Sequence, residues 1–202
     1  MDDLIPPGWL ERSALDDGAL AAAYDALDDL RLARLKGLAA RLDARYEPAP
    51  ARRCGVTGEV PGLLRYRAER APLDFVCLLL GGEALSPAKV MAALVPAAVL
   101  GVPRLTAAFV DAEPTDAVLA ALEVAGVGEV LAVPTRRTCA LVRALAAEGR
   151  GLAVLLGVSC PGGCVPPERM DSLPLAVPAR AAVLQRGPGD FDLEALAWAH
   201  PD

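Results

Sequence analysis

An α/β fold, an open parallel sheet of about five strands with flanking helices behind an N-terminal helical segment, is what this sequence predicts. Three observations carry that reading. From residue 70 onward, short apolar runs alternate with helical stretches. Before it, leucines recur at helical spacing. At 54% hydrophobic, the 202 residues suffice for a large core, and with aromatics at 4% that core rests on Ala, Leu and Val.

The elements follow in order. Residues 13–45 read as helix: Ser13-Ala14-Leu15-Asp16-Asp17 can start it, and Leu20, Tyr24, Leu27, Leu30, Leu35, Leu38 and Leu42 form its apolar stripe. Gly37 is the expected break, and Asp28, Asp29, Arg31, Arg34 and Lys36 form a charged face. Residues 47–63 are rich in Pro and Gly and read as linker. The domain plan is therefore a helical segment over 1–48, a linker over 49–69 and an α/β domain over 70–202.

Asp74–Leu80 is a continuous apolar run closed by Gly81-Gly82, the pattern of a strand buried on both faces. Ser86 suits a helix N-cap and Pro87 the first helical position. That helix runs to Leu100, stops at Gly101 and is bent by Pro96, which lacks a backbone donor. Arg104–Val110 is the next strand, Pro114–Ala125 the next helix, and Glu129–Val133 a third strand. A helix over Thr135–Glu148 and a strand over Leu152–Gly157 follow. After a long loop, Ala181–Gln185 reads as a fifth strand and Asp192–Ala199 as a final helix.

Charge and composition exclude several classes. A net charge of −6 without any basic block argues against a sequence-independent nucleic-acid binder. The N-terminus Met1-Asp2-Asp3 lacks the positive region of a signal peptide. The longest apolar stretch, Val90–Pro103, is too short to span a bilayer. These features predict a cytoplasmic chain. Five cysteines, Cys54, Cys77, Cys139, Cys160 and Cys164, then read as reduced thiols, with Cys77 and Cys139 as small core residues.

Four segments in a shared order resemble the first nucleotide-binding-type domain of histidinol dehydrogenase, in the aldehyde-dehydrogenase-like superfamily. They are the strand into Gly81-Gly82, the helix from Val90 to Gly101-Val102, the Ala125-Gly126-Val127-Gly128-Glu129-Val130 approach to a strand, and the tail from Phe191 to Asp202. The resemblance covers roughly residues 65–148 and, more weakly, 172–202. It implies a Rossmann-like sheet, and it implies that the family's chemistry is missing. Leu78-Leu79-Leu80 stands where the family places an NAD-contacting tyrosine. Pro134-Thr135-Arg136-Arg137-Thr138 falls on its Gly-Gly-Ala-Gln-Ala motif, with Arg137 in the position of the glutamine that contacts NAD. Cys160-Pro161-Gly162-Gly163 corresponds to its Gly-Pro-Gly-Asn loop, with Gly163 for the asparagine. In the zinc helix His200 matches the histidine, but Ala197 replaces the glutamine, and the family's other ligands and its Glu-His pair fall beyond Asp202.

Independently of that resemblance, an open α/β sheet binds ligands outside the carboxyl ends of its strands. Gly81, Gly82 and Ser86 lie there, where a helix N-terminus favours an anion. Thr135, Arg136 and Arg137 open another helix on the same edge, and two arginines opposing a helix dipole suit an anionic ligand or an acidic surface. Cys160 and Cys164 form a C-x₃-C that can bind metal or form a disulfide; with His200 they are the metal candidates, although structural zinc needs four ligands.

Three functions follow as expectations. The first is a non-catalytic histidinol dehydrogenase-like protein that binds a small anionic ligand or a protein partner at the carboxyl edge, without a cofactor. The second is an NAD-linked oxidoreductase, or one component of a split dehydrogenase. The third is a thiol-redox or metal module built on Cys160 and Cys164. No nucleic-acid or membrane partner is expected, and a homodimer stays open.

Overall fold

The computed structural model describes residues 8–16, 18–46, 54–60, 64–70, 72–82, 85–158, 170–175 and 198. Five parallel strands form its sheet: β3 (Phe75–Leu80), β4 (Arg104–Val110), β5 (Glu129–Val133), β6 (Gly151–Leu156) and β7 (Met170–Leu175), in the spatial order β5-β4-β3-β6-β7. Between them run α4 (Pro87–Val99), α5 (Asp116–Val124) and α6 (Thr135–Glu148). The chain steps outward from β3 to β5, then returns to place β6 on the far side of β3. A crossover of constant hand that reverses direction must also change face. Accordingly α4 and α5 cover one face and α6 the other.

The strands show this two-sided burial residue by residue. Val76, Leu78 and Leu80 of β3 join a cluster with Met91 and Leu94 of α4 and Leu122 of α5. Phe75, Cys77 and Leu79 alternate with them into a second cluster with Leu141 and Leu145 of α6. All six β3 residues are buried, so the run is continuously apolar although the strand still has a period of two. Ser86 caps α4 as expected, with Oγ accepting from the Lys89 N–H at 3.2 Å, and Pro96 lies inside that helix.

Three expectations require correction. Residues 13–45 are not one helix divided at Gly37. The chain forms α1 (Trp9–Ser13), α2 (Gly18–Ala26) and α3 (Asp29–Asp43), and Gly37 stays inside α3. The break falls where Asp28 accepts from the Arg31 N–H at 2.8 Å and caps α3, while Ser13 ends α1 by bonding back to the Trp9 carbonyl at 2.9 Å. The stretch read as linker contains an antiparallel hairpin, β1 (Cys54–Val60) with β2 (Leu64–Arg70). Its glycines and the Pro61-Gly62 dipeptide masked the strand signal. The fifth sheet strand is β7, within the stretch read as a long loop, and it contains Pro174. The expected strand at Ala181–Gln185 lies outside the described residues. So does the expected helix at Asp192–Ala199, except for Trp198, which is helical and packs on the α4–α5 cluster.

The N-terminal helices hold the open side of β5. Trp9 of α1 is buried with α6, while α2 and α3 pack on α5 and α4. Between them the Leu15 N–H donates to the Val130 carbonyl at 2.8 Å, and Ala14 bridges Leu131 antiparallel. At the amino edge, Arg104 bridges Glu129 at 2.8 Å and also Glu148, tying β4, β5 and the end of α6 together. Among the described residues, no helix is long and apolar enough to cross a membrane.

Candidate functional site at the carboxyl edge

The order β5-β4-β3-β6-β7 has its reversal between β3 and β6. Connections leave these two strands in opposite directions, and open α/β sheets bind ligands beyond the carboxyl ends at such a switch point. Two glycines, Gly81 and Gly157, sit there. The Gly81 N–H donates to the Leu156 carbonyl at 2.9 Å. Gly157 has φ +68°, and a Cβ there would lie 2.1 Å from the Gly81 carbonyl oxygen. A Cβ on Gly81 would lie 2.7 Å from Cγ2 of Val158. Backbone therefore approaches backbone at the switch point. Gly82 continues the turn at φ +93°, leading toward α4.

Two of the helices that start at this edge, α4 and α6, are capped from within. At α4, Pro87 has no N–H, while Lys89 and Val90 donate to Oγ and the carbonyl of buried Ser86. At α6, the Asp111 carboxylate accepts from the Thr135 hydroxyl at 2.6 Å and from the Thr135 N–H at 3.0 Å. Asp111 follows β4 directly and sits at φ +46°, a left-handed conformation that Asp tolerates better than most residues. The structure thus brings Thr135 and Arg136 to the edge but supplies a carboxylate of its own to that helix terminus. Arg137 is engaged elsewhere, with its guanidinium 5.5 Å from the centroid of the Trp9 ring. Thr138, one turn in, carries a buried hydroxyl without a hydrogen-bond partner.

The Thr135 hydroxyl, then its N–H, hold the Asp111 carboxyl below the ordinary 3.8, and Arg136 adds to the effect. Because the folded value is lowered, the ionised cap stabilises the fold fully above about pH 3.8, and this is lost as pH falls through the lower folded value. We expect Asp111→Asn, which keeps the left-handed backbone and an acceptor, to flatten that acid limb. Urea midpoints for both proteins between about pH 5 and pH 2 provide the check.

Sequence reasoning missed Asp111, Gly157 and Trp9. An acidic residue immediately after a strand and a glycine immediately after the neighbouring strand were the available signals for the first two. Trp9 carried none, since its burial depends on α6. Cys139, expected as a small core thiol, is half-buried and disulfide-bonded, so the all-thiol reading fails there. Its partner sulfur lies outside the described side chains. Cys77 is free and fully buried, and burial, with Glu129 adding to it, pushes its thiol up to about 12.

No protein-family model matches the chain, and no curated protein matches it. Cys160, Cys164 and His200 lie outside the described residues. Among the described residues, no group of three or more His, Cys, Asp or Glu side chains is placed to hold a metal.

Proposed function

We propose that this chain is a non-catalytic relative of histidinol dehydrogenase that binds a small anionic ligand at the carboxyl edge of its sheet. The observation that carries the reading is the reversal between β3 and β6, which sets Gly81 and Gly82 at the switch point of the sheet. Exposed Arg136, on the same edge, supplies a positive charge. Chemistry of the family's kind is not supported. Ala197 has no ligating atom for zinc, and Arg137, at the glutamine position, is engaged with Trp9.

Ligand-dependent melting is the test. Pyrophosphate at about 100 times its dissociation constant should raise the melting temperature by roughly 5–10 °C, and Arg136→Ala should abolish most of that. NAD should add nothing beyond its pyrophosphate. A shift specific to NAD would favour the NAD-linked oxidoreductase instead. No shift with either compound would remove the ligand reading and leave a protein partner as the occupant of this edge.

A further inference from the structure

We infer that the hairpin of β1 and β2 is a self-association arm: β2 pairs antiparallel, about a two-fold axis at Ala68, with β2 of a second copy of this chain. This goes beyond the anion-binding reading and does not depend on it. The hairpin forms a two-stranded sheet of its own, and among the described residues no further strand pairs with it. Two strands alone are marginal in water, whereas three or more with an apolar face hold together.

The register of the hairpin shows what β2 offers. Val60 stands opposite Leu64 and Val56 opposite Ala68, so one face is apolar along most of its length. Arg65, Arg67 and Glu69 alternate with those positions and share the other face. Glu59 stands opposite Arg65, but Thr57 stands opposite Arg67 and Gly55 opposite Glu69. Two positions of opposite charge on β2 therefore have no charged residue directly across the hairpin. β1 is the poorer edge for a further strand, because it contains Gly55 and Gly58, which weaken a strand.

Charge then selects one register. A two-fold pairing of β2 with itself keeps the two faces distinct only when it is centred on a residue. Centred on Arg65, Arg67, Glu69 or Arg70, it sets a charge against its own copy; centred on Tyr66, it sets Arg65 against Arg67. Like charges directly opposed destabilise a strand pair. Centred on Ala68, it sets Arg67 opposite Glu69 of the second copy, and Glu69 opposite Arg67, with Tyr66 opposite Arg70 on the other face. The same charges that discourage pairing with an unrelated edge thus favour this one. The product is a sheet in the order β1-β2-β2-β1 whose outer strands carry the glycines. An isologous contact of this kind closes at two copies.

Sedimentation velocity on the full chain tests this. The protein should be dimeric at about 100 µM. Arg67→Glu and Glu69→Arg should each raise the dimer dissociation constant at least about tenfold, and the two together should bring it back to within about threefold of the wild type. Circular dichroism verifies that each variant is folded. Position 68 supplies a separate reading: residues directly opposed across antiparallel strands have Cα atoms about 4.5–5.5 Å apart, within disulfide reach. Ala68→Cys should therefore link two copies through position 68 under mild oxidation, as mapped by peptide mass spectrometry. A monomer at that concentration, single charge reversals that leave the dimer unchanged, a double variant as weak as the single ones, or no link through position 68 would each overturn the proposal.

Discussion

Replacing Gly157 with alanine should destabilise the protein by roughly 4 kcal/mol, combining a strained left-handed backbone with overpacking at a close contact. The residue holds φ +68°, and the added methyl carbon would lie 2.1 Å from the Gly81 carbonyl oxygen. That oxygen belongs to backbone fixed on the other side by the Gly81 N–H bond to Leu156. It cannot swing away as the end of a long side chain can. Relief requires β3 and β6 to part at their carboxyl ends. Urea denaturation measures the loss. A Gly157→Ala protein within about 1 kcal/mol of the wild type would show that the two strand ends are not in contact.

The second large effect lies far away in sequence. Trp9→Ala should cost about 3–5 kcal/mol, the range for removing a large buried aromatic. Trp9 is 3% exposed, and Arg137 lies over its ring. Losing the anchor should loosen α1 and, through it, the short pairing of residues 14–15 with β5. Amide exchange at Leu15, whose N–H is held by the Val130 carbonyl, should therefore accelerate far more than exchange in β3. Equal acceleration in both places would mean that the N-terminal segment is no separate unit of stability.

These two residues show what the sequence makes legible. β4, β5 and α6 have the bounds that periodicity predicts, β3, β6 and α4 shift by a residue, and α5 starts two residues later and ends one earlier; the strands among them are apolar runs flanked by Gly or Pro. Where glycine sits inside the element, as in Cys54–Val60, the same rule reads a linker. Ser86 was legible because N-capping is local chemistry. Asp111 as the cap of α6 was not, since 24 residues separate it from Thr135. Nor was the engagement of Arg137, which needs Trp9 brought around the edge of β5. Local signals thus placed the edge of the sheet correctly, while the groups that satisfy that edge come from elsewhere in the chain.

The sheet margins bear on how copies of this protein can meet. On one side, residues 14 and 15 already occupy hydrogen-bonding positions along β5. On the other, β7 ends the described sheet with Pro174, which has no N–H to offer a neighbour. Among the described residues, neither margin of this sheet is a good template for strand addition, the route by which exposed edges recruit further chains into extended β assemblies. Shortening the chain before Leu15 would remove that safeguard from β5.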